Sequence, residues 1–140
     1  MVRTQYGIVL AALVFLCLAG LPGCGHDQQL ASISIQPATE VFGTASNPSP
    51  PGAQVQLRAL GSYIHPPVTK DITNLVTWNS NTPDIATVNS TGVVTVTGVA
   101  CGDTLISATV TTNNSLGNLP SSGAIVTGSM TTTVTCPSGP

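Results

Sequence analysis

The residues able to do chemistry in this 140-residue chain are few: two histidines, four cysteines, five acidic and three basic side chains. A hydrolase needs a nucleophile beside a positioned base. Serines are plentiful, but the chain has no G-x-S-x-G elbow. His26 lies next to a Gly, and His65 precedes two prolines, so neither is set up to be oriented by a third group. The carboxylates Glu40, Asp71, Asp84 and Asp103 offer a glycosidase-type pair in principle. Each falls at a turn or strand end, where capping and Asx-turns are the commoner roles. Calcium is disfavoured because the acidic residues never form a D-x-D-x-D loop. Zinc is disfavoured because His26 and His65 do not stand at ligand spacing. No cofactor is expected.

The elements that would have to position these groups are β-strands. Only 6% of residues are charged, with a formal net charge of −2. Arg3, Arg58 and Lys70 cannot form the basic patch that phosphate neutralisation requires, so nucleic acid is excluded as a partner. A charged helical bundle is excluded by the same scarcity. From residue 31 onward, apolar residues alternate with polar ones, the period of a half-buried strand. Ile33 and Ile35 share one face, as do Val55, Leu57 and Ala59. The pattern recurs at Val76/Trp78, Ala86/Val88 and Val94/Val96, then at Ile106/Ala108/Val110 and Met130/Thr132/Val134. Proline-rich breaks at Ser46–Gly52 and His65–Pro67 read as loops, and Asn113–Ser122 as a hairpin connection. About seven short antiparallel strands of this kind predict an all-β sandwich.

The first 23 residues read differently. Arg3 precedes an apolar run, Ile8–Ala19, which ends in Gly20, Pro22 and Gly23. That is the layout of a signal peptide, and the run is short for a membrane span of roughly 20 residues. Leu21-Pro22-Gly23-Cys24 resembles the bacterial lipobox, with Pro22 departing from the usual small residue. The resemblance implies cleavage before Cys24 and a diacylglyceryl group on its sulfur, giving a membrane-anchored envelope lipoprotein with a palmitate-type anchor. Gly25 at the next position implies the outer membrane in a diderm host. Residues 24–30 then form a tether, 31–136 the domain and 137–140 a tail. With Cys17 lost and Cys24 assigned to lipid by that resemblance, Cys101 and Cys136 remain as a pair. In an oxidising compartment a disulfide is expected; two alkylatable thiols would exclude it.

The centre of the chain carries a family pattern. It runs Asp71-Ile72-Thr73, Val76-Thr77-Trp78-Asn79-Ser80 and Asn81-Thr82-Pro83-Asp84-Ile85-Ala86-Thr87-Val88. It continues with Gly92-Val93-Val94-Thr95 and Gly102-Asp103-Thr104-Leu105-Ile106-Ser107-Ala108. Residues 31–110 thereby resemble the bacterial immunoglobulin-like domain, group 2, found in invasin- and intimin-type adhesins. The resemblance implies an immunoglobulin-like sandwich in which Trp78, Val76, Ala86, Val88 and Ile106 are core and Gly92 is a turn. If the last two strands form a hairpin with 112 opposite 125, paired residue numbers have a constant sum of about 237. Cys101 and Cys136 share that sum.

The expectation is a non-enzymatic envelope module serving structure, adhesion or interaction, with a protein or polysaccharide partner. Two alternatives stay open. One is a small exported hydrolase or metal-dependent protein using Asp71, Asp84 and Asp103; the other is a secreted module without lipid.

Overall fold

The computed structural model describes residues 29–64, 66–112 and 124–137. Eleven strand segments follow in order: β1 (Gln29–Gln36), β2 (Thr39–Thr44), β3 (Asn47–Pro48), β4 (Gln54–Gln56), β5 (Arg58–Ile64) and β6 (Val68–Asp71). Then come β7 (Thr77–Ser80), β8 (Ala86–Val88), β9 (Val93–Val96), β10 (Gly102–Thr112) and β11 (Ala124–Val134). Valine and threonine dominate these segments, and their branched side chains favour the pleated surface.

Two layers face each other. One is the five-stranded sheet β3-β2-β11-β10-β7. The other combines β1-β5-β6 with β4-β9-β8. These two ladders are halves of one layer, because β4 and β5 are separated only by Leu57, whose N–H bonds the Gly92 carbonyl at 2.8 Å. The chain passes from the second of these layers to the first between β1 and β2, at the cis Gln36–Pro37 peptide. Strands Gln54–Ile64, Thr77–Ser80, β8, β9, β10 and β11 follow the alternation seen in the sequence. An immunoglobulin-like β-sandwich results.

The core lies between the layers. Leu57, Ala59, Ala86, Val94, Ile106 and Ala108 are wholly inaccessible, and Trp78 is buried in the same cluster. Two threonines on inward positions, Thr104 and Thr132, are buried with them. Their hydroxyls are bonded, Thr132 to the Met130 sulfur and Thr104 to Ser80 and Asn81. Among the described residues no buried side-chain nitrogen or oxygen lacks a partner, which removes the main cost of placing polar groups in a core. The layers approach closely at Gly128, where an added Cβ would come within 2.5 Å of the Ile33 carbonyl oxygen.

Three expectations need adjustment. The strands outnumber seven because β2, β3 and β6 form from stretches without an apolar alternation. The tether does not extend to residue 30: Gln29 and Leu30 already belong to β1, and Leu30 is buried in the core. The β10–β11 ladder pairs Gly102 with Val134 and Thr112 with Ala124, one residue off the expected register. Leu30 is an apolar residue that a polar flank disguised, and the register depends on a connection whose turn geometry the sequence does not specify.

The registers also orient the ends. β1 lies along β11 at Gly128, and β2 pairs in parallel with β11 over Thr39↔Thr131 to Phe42↔Val134. Gln29 pairs with Ile64, beside the β5–β6 hairpin. The chain therefore starts at one end of the sandwich, near that hairpin, and leaves at the other with Cys136. The cleavage region, Cys24, His26, His65 and 113–123 lie outside the described residues.

Candidate functional site

The carboxylates do not converge. Asp71 closes β6, Asp84 sits in the turn before β8, and Asp103 is the second residue of β10. Asp71 and Asp103 are engaged through their carboxylates, Asp84 through its backbone carbonyl. The Asp84 carbonyl accepts from the Thr97 hydroxyl and the Ala100 N–H, and Asp103 accepts from the Thr133 hydroxyl at 2.6 Å. Glu40 stands on β2, opposite Thr132. Among the described residues no group of three or more His, Cys, Asp or Glu could hold a metal ion.

Asp71 is the most perturbed group. Its Oδ1 accepts from the Thr73 hydroxyl at 2.6 Å and the Thr73 N–H at 3.0 Å. Its Oδ2 takes Nε and Nη2 of Arg58 at 3.0 and 2.8 Å. The Thr73 bonds, with a smaller contribution from Arg58, pull the carboxyl down to about 2. Hydrogen bonds to the charged form do this because they are lost on protonation. A shallow polar groove opens here, lined by Gln56, Arg58, Asp71, Asn74, Leu75 and Thr91. Both Asp71 oxygens are already occupied, so the groove holds a structural staple and no free acid or base.

The signature positions build the interior. Val76 and Trp78 flank the start of β7, Ala86 is fully buried on β8 and Val88 half-buried, and Ile106 pairs with Ser80 from the middle of β10. Gly92 has φ +81°, and an added Cβ would come within 2.9 Å of the Leu57 oxygen and 3.0 Å of Trp78 Cζ2. This position admits glycine alone because both the conformation and the space exclude a side chain. Asn81–Asp84 has the polar-plus-proline composition of a turn, but sequence reasoning missed the capping role of Asn89. Asn89 Oδ1 accepts from the N–H groups of Thr91 and Val93, which shapes the bend carrying Gly92. Asn81 Oδ1 accepts from the Leu105 N–H at 2.7 Å and the Thr104 hydroxyl at 3.0 Å, tying the β7 exit to β10. Asparagine beside Thr-Pro or Ser-Thr is the available signal, through the Asx-turn.

Cys101 and Cys136 form a disulfide with a Cα–Cα distance of 5.1 Å. Both cysteines are exposed, at the end of the sandwich away from Gln29. Beside them a cleft runs between Pro48, Pro51, Val99, Ala100, Val134 and Pro137. Val99 is 76% exposed. The outward face of β2-β11-β10-β7 is different again. Thr39, Thr131, Ser129, Thr127, Thr77 and Asn79 are all exposed on it, and Asp103 at one corner is its one charged residue among the described residues.

Fold and surfaces together define an extracellular-type β-sandwich module whose distinctive residues serve packing and turns. The model of the bacterial Ig-like domain, group 2, matches residues 44–117, and the chain belongs to that family. It is also similar to Ice-binding protein 1 of Shewanella frigidimarina, 32% identical over 127 residues, 79% of this chain. The chain spans only 13% of that relative's length.

Proposed function

We propose that this chain is an exported, non-catalytic module of the bacterial envelope, held by lipid on Cys24, that presents its immunoglobulin-like sandwich to a protein or polysaccharide partner. The observation that carries the reading is the position of the chain's start. Gln29, five residues beyond Cys24, lies at the end opposite the disulfide, so an anchor at Cys24 leaves the Pro48–Pro51 and Gly98–Cys101 loops facing outward. The lipobox, the family and its surface-protein members support the reading, as does a face whose hydroxyls replace charge. Two or three acyl chains suffice for stable anchoring. Labelled palmitate fed to cells making the protein tests it. Label on the wild type that disappears in Cys24→Ala, with release of the protein from membranes, is expected; label that survives the substitution overturns the anchor.

A second reading draws on the relative's name. This face of alternating hydroxyls and methyls, with Asp103 at one corner, suits contact with ice, and among the described residues it carries no aromatic platform for sugar stacking. Placing lysine at Thr109 and Thr127, which face each other across β10 and β11 at 3.1 Å, abolishes inhibition of ice recrystallisation if this face is responsible. An inactive wild type eliminates the reading.

A further inference from the structure

The two ends of the described chain lie at opposite ends of the sandwich; β1, which holds Gln29 and pairs with β5, leads into β2, and β2 runs beside β11 in the same direction. β2 pairs in parallel with β11 from Thr39↔Thr131 to Phe42↔Val134. The Phe42 carbonyl accepts from the Thr135 N–H at 3.0 Å, and the Thr135 hydroxyl donates to the Gly43 carbonyl at 3.1 Å. Phe42 and Val134 are both buried at this point. Ladder bonds run between strands, across their axes. Pulling Gln29 one way and Pro137 the other loads β1 against β5 first and then slides β2 along β11, where the bonds of the patch must break together. A hairpin pulled at its open end breaks them one at a time.

The disulfide sets what happens next. Cys136 follows β11 by two residues and Cys101 immediately precedes β10. A load reaching Cys136 divides between β11 and, through the sulfurs, β10. β10 is held on both sides, by β11 and β7. Residues 102–135 lie inside a closed loop and cannot be drawn out.

We infer that the domain bears tension between its ends, with the β2–β11 ladder loaded in shear and the Cys101–Cys136 bridge as a stop that limits extension. The source of the load rests on the proposed function, an anchor at one end and a partner at the other. The mechanical behaviour does not, and it is measured without either.

The test pulls the chain from residue 25 onward, fused at both termini to handle domains, by single-molecule force spectroscopy. The oxidised chain should release about 120 Å less contour length than the reduced one, since the cysteines are 35 residues apart and a residue spans roughly 3.3–3.6 Å. Equal lengths overturn the stop. Glu40→Pro, two residues before Phe42 on the same edge of β2, should lower the rupture force and leave the oxidised length unchanged; an unchanged force overturns the shear patch. Should that variant fail to fold, a handle coupled to the thiol of Pro66→Cys supplies the comparison. Pulling from the N-terminus against Pro66, at the same end of the sandwich, unzips β1 from β5 and should rupture at several-fold lower force. Equal force in the two directions overturns the proposal.

Discussion

The indole N–H of Trp78 donates to the Thr73 carbonyl at 3.0 Å. Thr73 in turn accepts the Ala59 N–H at its hydroxyl oxygen and donates that hydroxyl to Asp71. This core residue is thus joined through one buried threonine to the Arg58–Asp71 pair on the surface, so core and staple can be perturbed separately.

Trp78→Phe keeps most of the apolar area and removes the N–H. It leaves the Thr73 carbonyl short of a donor and a gap beside Gly92. Together these should lower unfolding free energy by about 2–4 kcal/mol, from an unsatisfied buried group plus a small cavity. Urea unfolding followed by far-ultraviolet dichroism checks it; a loss under about 0.5 kcal/mol contradicts the role given to the bond.

Asp71 titrates at about 2 in the folded chain, below its ordinary 3.8. Its ionised form is favoured by folding, so its contribution is complete above the unfolded value and is lost as pH falls from about 4 through about 2. Across that window the wild type should lose stability more steeply than Asp71→Asn, which has no proton to take up there. Both side chains of the pair are substantially exposed, 60% for Arg58 and 43% for Asp71, so salt should weaken the Arg58 share. Parallel slopes for the two proteins would show that Asp71 is not responsible.

Removing the bridge by Cys101→Ser with Cys136→Ser should cost about 4 kcal/mol, the chain-entropy expectation for a closed loop of 35 residues. Thermal unfolding of the double variant against the oxidised wild type measures it. No change in midpoint would mean that the reduced chain already holds β10 and β11 together when unfolded.

Gly92→Ala meets both a left-handed backbone and a Cβ within 3.0 Å of the Trp78 ring. Strain and overpacking add, giving an expected loss of about 2–4 kcal/mol. Gly52→Ala, at φ +85° with nothing within 4 Å of the added carbon, should cost only the conformational part. The difference between the two variants, read from chemical unfolding, isolates the packing contribution.

The sequence carried those parts of the fold that burial alone determines. Leu57 and Ala59, Val94 and Val96, and Ile106 and Ala108 lie on inward faces because alternation is the direct imprint of a half-buried strand. Thr132 followed the same rhythm in spite of its hydroxyl. β2 did not announce itself, because only Phe42 of its six residues is buried and its partner is a parallel strand some ninety residues away. β6 is wholly exposed and exists through its pairing with β5. The staple at Asp71 was legible only as a candidate carboxylate, since nothing local indicates that Arg58 would be returned to it across an antiparallel ladder. The shift of one residue in the β10–β11 register has the same origin: pairing numbers come from turn geometry, which composition does not encode.

The bridge has one more consequence, which concerns cutting. Any single backbone cleavage between Cys101 and Cys136 leaves two segments still covalently joined, and they remain paired along β10 and β11. A protease making one such cut would nick the molecule without releasing either part. The product would run as one band under oxidising conditions and as two after reduction. In an environment rich in secreted proteases, the domain can take one such cut and keep both its ends connected.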